Sequence, residues 1–261
     1  MSDFALIGGT GLELLPFSDK HMITMETPFG IAQVVKGYLD TLDVVFLDRH
    51  GYDHVFPPHL INYRANIWAL KEMGVRKILA TAAMGSLSSN FKLQDLVLLD
   101  QFLDFTKSRP HTFFEGGVQG VLHVDVTDPY CSHLRQKILE AGRELDLNLK
   151  NGATYVCTEG PRFETPAEIR MFQKLGGEVV GMTSVPEVVL AKELGICYAA
   201  IGIVTNEAAG IATHQLTHAE VVERIRQSEK SVFELIEKTM RMLTPEQNCT
   251  CPLANVELGK F

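Results

Sequence analysis

The chain has 261 residues, of which 46% are hydrophobic and 21% are charged, and this composition is that of a globular protein with one sizeable core. Its formal net charge is −8, and it has no run of lysine or arginine that would follow a nucleic-acid backbone or an anionic membrane surface. No apolar segment has the length of a membrane span and no basic leader begins the sequence, so we expect a cytoplasmic protein.

Short apolar runs that end in small or polar residues predict strands at Phe4–Ile7, Val44–Leu47, Ile78–Ala80 and Cys197–Val204. Continuous aliphatic runs of this kind are typical of parallel strands that are buried on both faces. Helical periodicity and terminal glycine or proline predict helices at Asn62–Met73, Tyr130–Leu145, Pro166–Leu175, Pro186–Leu194 and Thr217–Leu243. We therefore predict one α/β domain over residues 1–243, followed by a polar segment, 244–261, that forms a tail or a subunit-contact arm.

Polar clusters follow the predicted strands, where ligands of such sheets bind. The first cluster is Gly8-Gly9-Thr10-Gly11, whose glycines let the backbone approach an anion and whose Thr10 hydroxyl can donate a hydrogen bond. A dinucleotide-binding loop would need a further glycine where the chain has Leu14, so that motif is excluded. A phosphate site and a structural turn both remain open for this segment.

Arg49 and His50 follow the second strand. The guanidinium of Arg49 offers a planar set of donors that suits phosphate and stays charged at any working pH. The alternative is a surface arginine paired with Asp48.

Phe163 and Glu164 lie in an unusual stretch, Thr158–Thr165, that connects an apolar strand to a helix. An aromatic ring stacks on a planar base, and a carboxylate accepts a hydrogen bond from an N–H on the edge of that base. The same stretch predicts a helix start with Thr165 as N-cap and Glu168 completing a capping box. The two interpretations are compatible.

Asn206 ends the last apolar strand, and its amide offers a donor and an acceptor that suit a purine edge. A turn-forming asparagine is the alternative. The sequence contains no evident Ser-His-Asp arrangement, HExxH motif or closely paired acids of a glycoside hydrolase. Anion and base contacts without a protein nucleophile fit a reaction in which bound phosphate is the nucleophile.

The five cysteines are scattered along the sequence. Cys131, Cys157 and Cys197 lie among apolar or helical residues and are expected to be inert core thiols. Cys249 and Cys251 form either a strained disulfide or two free thiols in a mobile tail, and a reducing cytosol favours the thiols. No second cysteine or histidine pair stands at ligand spacing, so we expect no zinc site and no other metal.

An ordered set of motifs resembles the trimeric purine nucleoside phosphorylase/methylthioadenosine phosphorylase family. The resemblance covers about residue 4 to residue 243 and rests on Ile7–Gly11, Thr27–Gly30, Arg49–Gly51, Asn62–Leu70, Glu159–Phe163 and Gly181–Glu187. It implies a mixed central sheet with a distorted barrel, flanked by helices, and a homotrimer or a dimer of trimers. It also implies an enzyme that needs no cofactor and takes a purine nucleoside and inorganic phosphate as its substrates.

The resemblance further implies the roles of individual residues. Phosphate is expected to contact Thr10, Arg49, His50, the backbone at Ala82 and Ala83, and Thr183. Phe163 is expected to face the base, Met182 to lie along the ribose, and His123 to enter the neighbouring subunit's site. His218 aligns with the segment that carries a histidine for the ribose 5′-hydroxyl; its alternative is a polar residue in the first turn of the last helix. Asn206, Glu164 and His50 are the expected catalytic residues.

Departures from the family pattern indicate the substrate. Enzymes for 6-aminopurines resemble T-D-x-D after the last strand, whereas this chain has Thr205-Asn206-Glu207-Ala208. Glu164 and Asn206 resemble the residues of the enzymes for 6-oxopurine nucleosides such as inosine and guanosine, and we expect that substrate class here. The alternatives are a methylthioinosine phosphorylase, a methylthioadenosine phosphorylase and, in another class, a nucleoside-binding module without turnover.

Overall fold

The computed structural model describes residues 2–9, 17–212, 215–243, 249–254 and 258–259. Its α-helices are α1 (Tyr63–Glu72), α2 (Ser132–Glu144), α3 (Pro166–Lys174), α4 (Ser184–Glu193) and α5 (His218–Met242). Its strands are β1 (Phe4–Gly8), β2 (Phe17–Thr27), β3 (Gly30–Leu39), β4 (Leu42–Asp48), β5 (Lys77–Ser86), β6 (Leu96–Leu98), β7 (Gln101–Phe105), β8 (Val121–Leu122), β9 (Leu149–Asn151), β10 (Thr154–Thr158), β11 (Val179–Gly181), β12 (Cys197–Glu207) and β13 (Leu258–Gly259). In the part of the chain that is described, no helix combines the length and apolar composition needed to cross a membrane.

The main sheet is mixed and branches at its central strand, β5. Strand β5 runs parallel to β1 on one side and to β12 on the other, and β11 continues the β1 side with antiparallel pairing. The sheet extends from β1 through parallel β4 to the antiparallel strands β3 and β2, and from β11 through parallel β10 to β7. Since β1, β4, β5 and β12 are mutually parallel, their carboxyl ends meet at one edge. The predicted mixed sheet flanked by helices is confirmed.

Helices cover both faces of this sheet, which explains why its strands are continuous apolar runs. In β1, Ala5 and Ile7 pack into one core with residues of α1 and α4, whereas Leu6 packs into a second core with residues of α2 and α5. Successive strand side chains point to opposite faces. A strand covered on both faces therefore carries apolar residues at most positions between its ends.

The predicted helices are all present, and each starts and ends within two residues of its predicted bounds. Helix α1 begins where the Asn62 side chain accepts a hydrogen bond from the Ala65 backbone N–H. At α3, Thr165 and Glu168 form the predicted capping box. Local capping chemistry therefore defines these ends.

Part of the polar C-terminal segment returns to the domain. Cys251 is buried in the core that α2 and α5 cover, and β13 pairs antiparallel with β8. The described parts of residues 244–261 thus pack against their own chain.

Candidate active site

A cavity of about 470 Å³ opens at the edge where the parallel strands end. This volume lies in the range of sites that enclose a small organic ligand. The cavity is lined by ten residues that the sequence predicted for the site: Arg49, His50, Ala82, Ala83, Phe163, Glu164, Met182, Thr183, Asn206 and His218. The fold thus brings together residues that are up to 169 positions apart, from 49 to 218.

Two predicted site residues stand apart from this set. His123 is exposed after β8 and does not line the cavity of its own chain. Its role in a neighbouring subunit stays a prediction. Thr10 lies outside the described residues, although its neighbour Gly9 lines the cavity.

Arg49 is buried and forms a bidentate ion pair with Glu187. Its Nε donates to Oε2 at 2.7 Å and its Nη2 donates to Oε1 at 2.8 Å, while Nη1 donates to the Thr81 carbonyl at 2.9 Å. The Tyr198 hydroxyl also donates to Glu187, at 2.6 Å. The alternative of a surface pair between Arg49 and Asp48 is therefore wrong.

The ion pair keeps Arg49 charged and fixes its orientation. Burial alone lowers the pKa of Arg49, but the charge and hydrogen bonds of Glu187 outweigh it and hold that pKa above its ordinary value. Three of the five N–H groups of the guanidinium donate to Glu187 and Thr81, and two remain to contact an anion in the cavity.

His50 presents an unprotonated nitrogen to the cavity. Burial, together with the charge of Arg49, lowers its pKa to about 4 despite the hydrogen bond to Phe56, so the ring is neutral at physiological pH. Its Nδ1 lies 2.8 Å from the Phe56 carbonyl and must carry the hydrogen, because a carbonyl only accepts. The lone pair is consequently on Nε2, beside Gly9.

A stretch of β5 without a neighbouring strand on one side, among the described residues, borders the same end of the cavity. Among the described residues, β1 pairs with β5 only as far as Ala80, and β11 pairs with it only from Gly85. The intervening edge includes Ala82 and Ala83. Thr183 lines the cavity just before α4, whose backbone is non-helical at Val185, so Thr183 contributes a hydroxyl donor rather than the end of a continuous helix. An arginine, a backbone edge and a threonine hydroxyl together favour an anion.

The other end of the cavity carries Phe163, Glu164 and Asn206. Glu164 is buried, and the Thr158 hydroxyl donates to its Oε1 at 2.7 Å. Burial raises the pKa of Glu164 above its ordinary value, while Thr158 acts in the opposite direction. A partly desolvated carboxyl group of this kind is a strong hydrogen-bond acceptor in its ionised form.

The hydrogen bonds of Asn206 fix the orientation of its amide. Its Oδ1 accepts from the Thr205 hydroxyl at 2.9 Å, and its Nδ2 donates to the Glu207 carbonyl at 2.9 Å. Because only the NH₂ group can face a carbonyl, the second N–H of this group is the donor that a ligand meets.

His218 lies at the start of α5 and lines the cavity, so it is both a first-turn residue and a site residue. Its ring centroid is 6.4 Å from that of His54, which stacks on His50 at 4.1 Å. Val221 and Ile225 line the cavity from the same face of α5, one and two turns further on. This wall therefore combines one polar ring with two aliphatic side chains.

Sequence reasoning missed two buried residues that position the site. Glu187 belongs to a quoted motif, but no local signal shows that it pairs with Arg49, 138 residues away. Arg109 is buried and donates to the carbonyls of Thr158, Glu159 and Val185 at 2.7–3.1 Å. It thereby joins the loop that carries Glu164 to the start of α4. Its sequence context is an ordinary polar loop.

Comparisons with known proteins agree with this geometry. Residues 3–241 match the family described as "Phosphorylase superfamily". The chain belongs to this superfamily. It is 47% identical over 256 residues to the "6-oxopurine nucleoside phosphorylase" of Pyrococcus furiosus, covering 96% of this chain and 97% of that protein. It is 48% identical over 255 residues to the "Probable S-methyl-5'-thioinosine phosphorylase" of Methanopyrus kandleri, covering 97% and 98%.

The fold of this chain is also that of a solved phosphorylase structure. A mutant adenosine/methylthioadenosine phosphorylase from Schistosoma mansoni, in complex with methylthioadenosine, superposes with a TM-score of 0.89. The two chains are 33% identical, and the match covers 98% of this chain and 96% of the other. The predicted membership of the purine nucleoside and methylthioadenosine phosphorylase family is confirmed, and the protein is an enzyme of that family.

Proposed function

We propose that this enzyme splits 6-oxopurine nucleosides of the inosine and guanosine type with inorganic phosphate, yielding the free base and ribose 1-phosphate. The observation that carries the proposal is one cavity with Arg49 at its anion end and Glu164 and Asn206 at its base end. The relative from Pyrococcus furiosus, named for 6-oxopurine nucleosides, supports the same substrate class.

The anion end supports phosphate as the nucleophile. Two N–H groups of Arg49, the edge of β5 and the Thr183 hydroxyl hold the phosphate beneath the anomeric carbon. The glycosidic bond breaks through an oxocarbenium-like state, whose positive charge the phosphate anion stabilises. A protonated phosphate oxygen donates to Nε2 of His50. No cofactor takes part in these steps.

The base end supports the 6-oxopurine preference. The Glu164 carboxylate accepts from N1–H of hypoxanthine or guanine, whereas N1 of adenine carries a lone pair. The free N–H of Asn206 donates to N7 or O6 and stabilises the charge that develops on the leaving base. An unpaired polar contact in a dry pocket costs ~1–3 kcal/mol, which is roughly fivefold to more than a hundredfold in preference.

A 5′-methylthio substrate is the second candidate. The observation that favours it is the pair Val221 and Ile225 on the cavity wall beside His218, since a thioether packs well against aliphatic side chains. His218 favours an ordinary 5′-hydroxyl, because it offers the hydrogen bond that a thioether does not need.

The decisive experiment measures phosphate-dependent base release from inosine, guanosine, adenosine, methylthioinosine and methylthioadenosine. We expect kcat/KM to be at least about tenfold higher for inosine than for adenosine. Equal values for these two would refute the base assignment. Absence of release from all five would support a binding module without turnover.

The variant Asn206→Asp tests the base contact directly. It places an oxygen where the amide N–H stands, so the 6-amino group gains an acceptor and the 6-oxo group loses a donor. We expect the ratio of adenosine to inosine efficiency to rise about tenfold or more. Asn90→Asp makes the same change at an exposed loop residue and should leave the ratio unchanged.

A further inference from the structure

Four cysteines from three separate parts of the chain converge at the edge of the sheet opposite the cavity. Cys131 immediately precedes α2, Cys197 begins β12, and Cys249 and Cys251 belong to the C-terminal segment. Within the described residues, the four sulfur atoms all lie within 4.8 Å of one another, and those of Cys197 and Cys249 are 3.3 Å apart. These thiols are scattered along the sequence but form one cluster in the fold, and Cys251 is buried rather than in a mobile tail.

The expectation of no zinc site rested on spacing along the sequence, which shows one Cys-x-Cys pair and no second pair. The fold supplies the second pair from Cys131 and Cys197, which are brought together when the Cys131 backbone N–H donates to the Tyr198 carbonyl at 2.8 Å.

We propose that Cys131, Cys197, Cys249 and Cys251 bind one zinc ion that fastens the C-terminal segment to the core. Zinc takes four thiolates tetrahedrally at about 2.3 Å, which places the sulfurs about 3.8 Å apart, and the observed separations need only small adjustments to reach that value. A four-sulfur tetrahedral set suits a soft metal ion.

The surroundings fit a closed structural site. Cys131, Cys197 and Cys251 are buried and Cys249 is half-buried, so the four sulfurs leave little room for a water ligand. Cys131 is the N-cap residue of α2, and the positive end of a helix dipole suits a thiolate ligand.

The C-terminal segment lies against the turn that precedes β12. Its backbone at Cys251 and Pro252 packs against Gly195, where a Cβ would lie 3.4 Å from Pro252 Cα. Gly195 has φ +70°, a conformation that favours glycine, and it ends the turn from α4 into β12. Cys249 and Cys251 of this segment therefore lie beside the strand that carries Cys197.

The zinc ion would take no part in the reaction. Cys197 and Asn206 lie nine residues apart along β12, which corresponds to roughly 30 Å of extended strand. The expected effect of the ion is on stability, since a ligand that binds only the folded chain stabilises it.

Metal content of the full-length protein tests the proposal. The protein is purified under reducing conditions, and its zinc is measured by mass spectrometry of the elements. We expect about one zinc ion per chain, bound also when the metal-free protein is titrated with zinc chloride. Iron at that stoichiometry in place of zinc, or no bound metal, overturns the assignment.

Variants and thiol chemistry complete the test. Cys249→Ser should lose most of the zinc and lower Tm, whereas Cys157→Ser, a buried thiol outside the cluster, should retain the full amount. After zinc is removed by chelation without further reductant, alkylation of the unfolded protein should label all four cluster cysteines. Two disulfides in that protein, or full zinc content in Cys249→Ser, would contradict the proposal.

Discussion

Arg49 shows how one side chain is prepared for an anion in a protein whose formal net charge is −8. Its pairing with Glu187 keeps the guanidinium charged and immobile but also cancels much of its field. Attraction of phosphate therefore depends on the direction of the two remaining N–H groups rather than on net charge. Glu187 acts as a positioning residue because it holds that direction.

Substitution at this pair should separate binding from turnover. We expect Arg49→Lys, which keeps the charge but loses the planar fork, to raise the KM for phosphate about tenfold or more with a smaller change in kcat. Glu187→Gln should raise the same KM and cost about 3–5 kcal/mol of stability, because it leaves a buried cation without its counter-charge. The measurements are phosphate saturation curves and thermal unfolding.

Arg241→Ala is the matched control, because Arg241 makes its ion pairs at the surface. It should leave both the phosphate KM and the midpoint of thermal unfolding essentially unchanged. Unchanged dependence of rate on phosphate concentration in Arg49→Lys and Arg49→Ala would remove Arg49 from the anion site.

The lowered pKa of His50 predicts how the stability of the protein depends on pH. Its folded-state pKa of about 4 lies below the ordinary value of 6.5, so the unfolded chain binds this proton more readily. Stability contributed by neutral His50 is complete above pH 6.5 and is lost as pH falls from 6.5 towards 4. Nitrogen NMR of the labelled ring should show an unprotonated Nε2 at pH 5.5, assigned by comparison with His50→Gln. Bound phosphate should raise the pKa; a free-enzyme pKa near 6.5 would contradict the assignment.

At the scale of elements, the sequence predicted what local pattern determines. The apolar runs predicted β1, β4, β5 and β12 because both faces of these strands are buried. Strand β2 was not predicted because it is exposed and polar along most of its length. Strand β3 was not predicted because buried and exposed residues are interspersed along it, so it also lacks a continuous apolar run. The strands β6 and β9 are only three residues long, too short for any period to show.

The same distinction separates the site residues that the sequence predicted from those that it missed. Residues at strand ends, such as Arg49 and Asn206, were predicted because parallel strands end at one edge. The partners Glu187 and Arg109, and the convergence of the four cysteines, depend on tertiary pairing across distant segments. Periodicity and spacing carry no information about such pairs.

The position of α5 gives a prediction at this scale. The helix places His218, Val221 and Ile225 on one wall of the cavity, where the 5′ end of the nucleoside is proposed to lie. In His218→Val, we expect kcat/KM to fall for inosine and to hold or rise for methylthioinosine, since the wall becomes wholly aliphatic. The control His21→Val changes an exposed histidine on β2. A parallel change for both substrates, or none, would favour the methylthio candidate.

At the scale of the whole molecule, large apolar side chains are exposed around the mouth of the cavity. Tyr52, Val55, Phe56 and Leu60 are 49–66% exposed, and Val55 and Phe56 also line the cavity. An apolar rim of this kind indicates a protein contact. We expect a second copy of the chain to cover it, as in the homotrimer or dimer of trimers that the resemblance implies.

Shared active sites would follow from that assembly and can be detected by complementation. If His123 of one subunit completes the site that contains Glu164 of the next, His123→Ala and Glu164→Gln subunits should each form deficient homotrimers. Co-expressed together, they should form mixed trimers. Each site takes Glu164 from one subunit and His123 from its neighbour, and each of these residues is native in about half of the sites. About a quarter of the sites therefore have both native residues. We expect activity well above the sum of the two separate variants, with light scattering confirming the trimer. In the control mixture His111→Ala, at a half-buried histidine outside the cavity, replaces His123→Ala and should show no gain over the sum of its components. A monomer in light scattering, or activity equal to the sum, would show that each chain completes its own site.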